Sequence, residues 1–278
     1  MKKVLVAMIG MLLMATAAHA EHKLLITDVL EQKQVEGQAR FEYGHTRGNI
    51  SSPVDGGGVL ITNRTESAYS LGVGLGHGLE MTASIPFVFN EQAKAEFAGL
   101  GPEYEPTVDG FGDFAVEAKY RLLGGEEKPF TLVTGLGLKF DTARRQDAGT
   151  GTTDVSPFVA ASVNLGHHYI PYAVYRATLR NNDAQDTHTL SLGLEKELNH
   201  TVTLDAKIDA NFNTAARDIT ANEDFSFEVA SYIQVAHNLY LLPSVAYTVA
   251  TNATFKANEL RLGPADGFRG GLSLYFLY

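Results

Sequence analysis

Cysteine and tryptophan are both missing from this 278-residue sequence, and bases are scarce beside acids, 22 Lys and Arg against 32 Asp and Glu. Without cysteine there is no disulfide and no lipid anchor of the lipoprotein kind. The redox compartment stays open, because exported chains have disulfides or do without them. A formal charge of -10 disfavours nucleic acid as a partner, since phosphate binding needs a basic face. Beyond the first twenty residues no apolar run approaches the eighteen that a spanning helix needs. With tryptophan absent, any interfacial girdle must come from the 12 Tyr and 15 Phe.

The first twenty residues differ in kind from the rest. Lys2 and Lys3 precede an apolar stretch from Val4 to Met14, and Ala18-His19-Ala20 has the small-x-small form cut by signal peptidase. Residues 1–20 are therefore expected to be an export signal, too short in its apolar part to span about 30 Å as a helix. Its removal takes two bases and no acid, so the formal charge moves from -10 to -12. Residues 21–37 contain Leu24, Leu25, Ile26, Val29 and Leu30. They are expected to form a segment that either plugs the domain behind it or trails as a periplasmic tail.

Residues 38–278 carry a period of two. In "TVTLDAKIDANF" (201–212), Val202, Leu204, Ala206, Ile208, Ala210 and Phe212 alternate with Thr201, Thr203, Asp205, Lys207, Asp209 and Asn211. Such alternation puts one set on each face of an extended strand. The pattern predicts twelve strands, at about 38–47, 66–76, 79–90, 111–122, 129–140, 153–166, 169–180, 187–197, 201–212, 224–236, 239–251 and 267–278. Residues 169–180 fit least well, being apolar on both faces in their first half. Tight connections ("GHG", "GGEEK", "HH", "LNH", "HN") alternate with long polar ones at 48–65, 91–110, 141–152, 213–223 and 252–266, and a shorter one at 181–186. Short turns on one side and long loops on the other are the mark of an outer-membrane barrel.

The lengths agree. Twelve residues at about 3.3 Å each extend roughly 40 Å, and a 45° tilt projects this to about 28 Å, near the hydrocarbon thickness. A soluble β-sandwich also alternates, but its strands usually run about 5 to 6 residues. The chain also ends on "GFRGGLSLYFLY", with Phe268, Leu272, Leu274, Phe276 and Tyr278 on one face. A terminal aromatic strand resembles the signal read by the barrel-assembly machinery. The fold class expected is thus all-β, a transmembrane antiparallel up-and-down barrel of about 12 strands, monomeric, bounded by outer-membrane lipid and lipopolysaccharide.

Three segments, "TDVLEQKQVEGQARFEYG" (27–44), "GFGDFAVEAKYRLLG" (110–124) and "GTGTTDVSPFVAAS" (149–162), resemble an outer-membrane family associated with the MetA pathway of phenol degradation. Where that family has Pro-Thr-Gly, this chain has Asp141-Thr142-Ala143 after Phe140. The resemblance implies passage of hydrophobic or aromatic compounds and supplies no catalytic residue.

Alternation assigns the lumen face directly. Its charged candidates are Arg40, Glu42, Glu80, Glu117, Lys119, Arg121, Lys139, Asp154, Arg176, Arg180, Glu195, Asp205, Lys207, Asp209 and Glu228, with Gly, Ser, Thr and Ala between them. Acids and bases nearly balance, so these are either a charge-selective constriction or paired groups that keep the interior polar. A twelve-stranded barrel lined by small residues leaves a narrow passage. The expected function is passive passage of small molecules without cofactor, catalytic residue or metal; the alternatives are a closed structural or surface-interaction barrel and an outer-membrane hydrolase. A hydrolase needs Ser, His and an orienting group near the rim. No Gly-x-Ser-x-Gly occurs, and the only neighbours of note are His188 and Asp186. "NNDAQD" (181–186) and the acids Glu91, Glu96, Glu103, Glu105 and Asp109 offer oxygen ligands, but such residues also fill ordinary polar loops.

Overall fold

The computed structural model describes residues 26–97, 103–104, 107–125, 128–143, 148–166, 168–256 and 259–278. The expected export signal, residues 21–25, Glu105 and His167 lie outside the described residues. Fifteen strands follow in chain order: β1 (Val35–Ser52), β2 (Gly56–Gly76), β3 (Leu79–Phe97), β4 (Glu103–Tyr104), β5 (Val108–Phe111), β6 (Phe114–Leu123), β7 (Phe130–Phe140), β8 (Asp154–Val163), β9 (Tyr169–Arg180), β10 (Thr187–Asn199), β11 (Val202–Asn213), β12 (Asn222–Ala236), β13 (Leu239–Ala250), β14 (Ala253–Phe255) and β15 (Leu260–Leu277). The short β4, β5 and β14 edge their neighbours at the long-loop end. The other twelve pair with their sequence neighbours, and β1 pairs antiparallel with β15 from Glu36↔Leu277 to Ser51↔Arg261. That seam closes the twelve-strand wall, as a structure in hydrocarbon requires.

The outer face is apolar. Phe41, Leu71, Leu192, Ile208, Phe227, Val245 and Leu272 are each about half exposed or more, although they are among the most hydrophobic side chains present. Aromatic pairs ring the long-loop end of this band: Phe41–Phe89, Phe87–Phe111, Tyr43–Phe268, Phe114–Phe140 and Phe212–Phe225, with ring centroids 4.9 to 6.4 Å apart. These supply the girdle that tryptophan does not.

Twelve strands answer the twelve expected, but their outer ends do not. Residues 56–65, 91–97 and 260–266, read from sequence as loop, continue β2, β3 and β15 to 21, 19 and 18 residues. Their Gly, Asn and charged content hides a ladder that pairs Val59 with Glu96 and Ile61 with Lys94. The β1–β2 connection is consequently tight: Ser52 Oγ accepts the amides of Val54 and Asp55 at 3.2 and 3.3 Å. At the short-turn end His77 and His168 hold left-handed φ of 54° and 63°, which turn geometry demands of them.

Candidate functional site

The interior carries the candidate site, and an inward-turned piece of chain occupies its short-turn half. Residues 26–34 precede β1 and pass inside the wall. Val29 and Leu30 are fully buried there. Val29 packs on Val133, Phe158, Ala160 and Val174; Leu30 packs on Tyr240, Leu242, Tyr275 and Leu277. Polar contacts fix the segment along its length. Thr27 Oγ1 donates to Ser162 Oγ at 2.9 Å, Leu30 N donates to Glu80 Oε2 at 2.8 Å, and Glu31 meets Arg121 at 3.0 Å. Lys33 N reaches Gly74 O and Gly74 N reaches Gln34 O. Gly74 has to be glycine, because a Cβ there would stand 1.9 Å from Glu31 O.

This arrangement explains the doubly apolar stretch of β9. Tyr169, Pro171, Ala173 and Tyr175 point outward, while Tyr172 and Val174 point inward to the cluster around Val29. An inner face that holds a segment of chain needs apolar residues, and period-two reading registers this only as a misfit.

The structure places Glu80, Glu117, Lys119, Arg121, Lys139, Arg176, Arg180, Glu195, Asp205, Lys207, Asp209 and Glu228 on the inner face, and it groups most of them in ion pairs. Lys119 pairs with Glu80 at 3.1 Å, and Arg176 reaches Glu117 at 2.8 Å from three strands away, its guanidinium 4.4 Å over the Phe158 ring. Lys139 and Arg180 share Asp154 at 2.9 and 3.4 Å. Lys207 lies between Asp209 and Glu228 at 3.2 and 3.3 Å. Arg269 then joins Glu228 (3.7 Å) to Glu42 (3.4 Å), and Arg40, Glu66, Arg64 and Glu91 extend the chain of charges around to β3. Sequence reading missed Glu36, Arg64, Glu66 and Arg269. Glu36 fell before the expected start of β1 and Arg64 in an expected loop, whereas Glu66 opened the expected second strand and Arg269 lay in the expected last one.

Asp205 and Glu195 stand apart from this ladder. The Tyr172 hydroxyl donates to both Asp205 oxygens, at 2.9 and 3.2 Å, crossing β10 where Gly193 leaves room for its ring. Glu195 is buried, and its Oε2 has no hydrogen-bond partner among the described residues.

At the long-loop end two of the three segments carrying the family resemblance, 110–124 and 149–162, meet. Asp113 accepts the amides of Thr142 and Ala143 at 3.1 Å each and of Thr150 at 2.8 Å, and the Thr150 hydroxyl at 3.2 Å. Burial raises the Asp113 pKa, but these backbone donors outweigh it and hold the carboxyl below its ordinary value. Thr150 and Thr152 also contact the inward Lys139, so residues 148–152 lie against the inner wall. Gly-Asp, Gly-Thr-Gly and the Asp-Thr-Ala departure thus form one loop clasp.

The hydrolytic and metal readings gain no geometry. His188 Nδ1 is 2.8 Å from the Tyr175 hydroxyl, whereas Asp186 Oδ1 accepts Arg180 N, so the two do not form a dyad. Gln185 ties loop 181–186 to the carbonyls of Thr214 and Thr220. Glu91 and Glu96 are paired with Arg64 and Lys94. Among the described residues no three His, Asp or Glu are grouped to hold a metal ion.

Fold and interior together define a transmembrane β-barrel with an occupied lumen. The COG4313 outer membrane channel from Pseudomonas putida F1 is similar over 95% of this chain and 100% of its own, with a TM-score of 0.63 at 14% identity. The KdgM porin matches over 85% and 98% (TM-score 0.51, 10% identity), and the translocator domain of the autotransporter NalP from Neisseria meningitidis over 99% and 96% (0.52, 10%). At such identities the likeness is one of fold. No family profile matches the sequence, and no match is found among curated proteins. The coarser part of the resemblance, an outer-membrane barrel, agrees with these structures; none of the three bears the phenol-degradation label.

Proposed function

We propose that the chain is an outer-membrane channel for passive passage of small molecules, with residues 26–34 as an internal plug at its periplasmic, short-turn end. One observation carries this reading. Within an otherwise charged inner wall, two apolar clusters receive Val29 and Leu30, while Glu80 and Arg121 hold the same segment by polar contacts. A wall built only to be closed could bury its own larger side chains; this one keeps apolar seats for a tethered segment. Once the segment moves, those seats and the Tyr172 and Tyr275 rings are the surfaces a small hydrophobic or aromatic solute meets, in keeping with the motif resemblance. Residues 1–20 direct export, and the strand ending at Tyr278 addresses the barrel-assembly machinery.

Planar-bilayer conductance of the refolded protein tests the reading. Deleting residues 26–32, which stops short of β1, should raise the conductance above that of the full segment. The full burial of Val29 and Leu30 favours a second reading, a permanently closed structural barrel. Silence in the folded deletion variant would select it.

A further inference from the structure

The cavity at the short-turn mouth is a site the ladder of paired charges leaves unexplained. It encloses about 570 Å³ and is lined by Glu195, Glu197, Thr203, Tyr232, Gln234 and Tyr240 among others. Glu195 is only 6% exposed, and Oε2 has no partner among the described residues. Among the described residues the charges that act on it are Asp28, Asp205 and Glu197, all acids. Of these, Asp205 is bonded by Tyr172 and Glu197 by His168 at 2.8 Å. With no basic side chain beside it among the described residues, this buried carboxyl either keeps its proton or ionises against a cation that something else supplies.

We propose that this cavity binds the cationic head of an organic amine, with Glu195 as its counter-ion and the Tyr232 and Tyr240 rings as its walls. An ammonium donates three hydrogen bonds and can lie against aromatic faces, which suits one free carboxylate oxygen among tyrosines. A metal ion would need several convergent carboxylates or imidazoles, and the described residues offer no such group. The inference deepens the channel reading by giving the solute a charge. It rests on that reading for the site's role in passage, and its test reads binding alone.

The test titrates benzylammonium, benzyl alcohol and benzoate into the refolded full mature chain in detergent micelles, by calorimetry. Benzylammonium should bind and the other two should bind at least about tenfold more weakly. Glu195→Gln should cost benzylammonium about tenfold or more, the loss of one charge-assisted hydrogen bond, while Glu195→Asp retains binding. Heat-modifiable electrophoretic mobility reports whether each variant has closed its barrel. If Glu195→Gln does not fold, the wild-type contrast between benzylammonium and benzyl alcohol decides. Equal affinity for amine and alcohol, an unchanged Glu195→Gln, or displacement of the amine by calcium chloride at matched ionic strength would overturn the proposal. A protein that binds the amine yet never conducts sinks the channel and leaves the site. One that conducts without binding does the reverse.

Discussion

Single residues fix how this interior is held, and Asp113 shows it with the clearest sign. Its carboxylate gathers three backbone amides from two loop segments about thirty and forty residues downstream, and its pKa is lowered by them. A group with a depressed folded pKa contributes stability that is complete above its unfolded value, about 3.9 for Asp, and lost as pH falls through the folded one. The protection of the Thr142, Ala143 and Thr150 amides, measured against their intrinsic exchange rates, should therefore be high and level from neutral pH down to that value. It should then fall on further acidification. Asp113→Asn keeps an acceptor but gives up the charge, and should expose the same amides at neutral pH, weakening the clasp by about 1 to 3 kcal/mol. Equal exchange in wild type and variant would mean that the loops are held by other contacts.

At the scale of elements, the segment 26–34 and strand β9 account for most of what the sequence concealed. Period two marks which residues share a face; it does not say what covers that face. The twelve strands, their order and the short turns were readable because each is a local pattern. By contrast, Val133, Phe158 and Val174 meet Val29 from more than a hundred positions away, and Arg176 meets Glu117 across 59. The outer ends of β2, β3 and β15 escaped notice because strands that rise past the apolar band no longer need alternation. The absence of cysteine makes the segment's role testable. Thr27 Oγ1 and Ser162 Oγ are 2.9 Å apart, so a Thr27→Cys/Ser162→Cys pair lies within disulfide reach. If the segment leaves its seat for passage, the oxidised pair should conduct less than wild type and recover on reduction. Conductance that ignores the redox state would mean that solute passes with the segment in place.

On the scale of the whole molecule, two surfaces of opposite character are separated by one layer of backbone, and the environment on each side decides what a substitution costs. Ile208 sits at the middle of β11, about half exposed, opposite Leu192 on one neighbour and Phe227 on the other. Lys207, the adjacent residue, points inward between Asp209 and Glu228. If the outer face meets hydrocarbon, Ile208→Arg should destabilise the barrel by about 2 to 4 kcal/mol, the cost of a base near the bilayer midplane. If that face met water, the same change would be neutral or favourable, because it would remove an exposed apolar side chain. Guanidinium unfolding in lipid vesicles, followed by tyrosine fluorescence and extrapolated linearly, separates the two by sign as well as size. Phe255→Arg on the short strand β14, beyond the band, is the matched control and should change stability by less than about 1 kcal/mol. A large loss at 208 with little at 255 locates the hydrocarbon slab on the barrel wall. Similar losses at both would mean that packing among side chains, and not lipid, sets the cost.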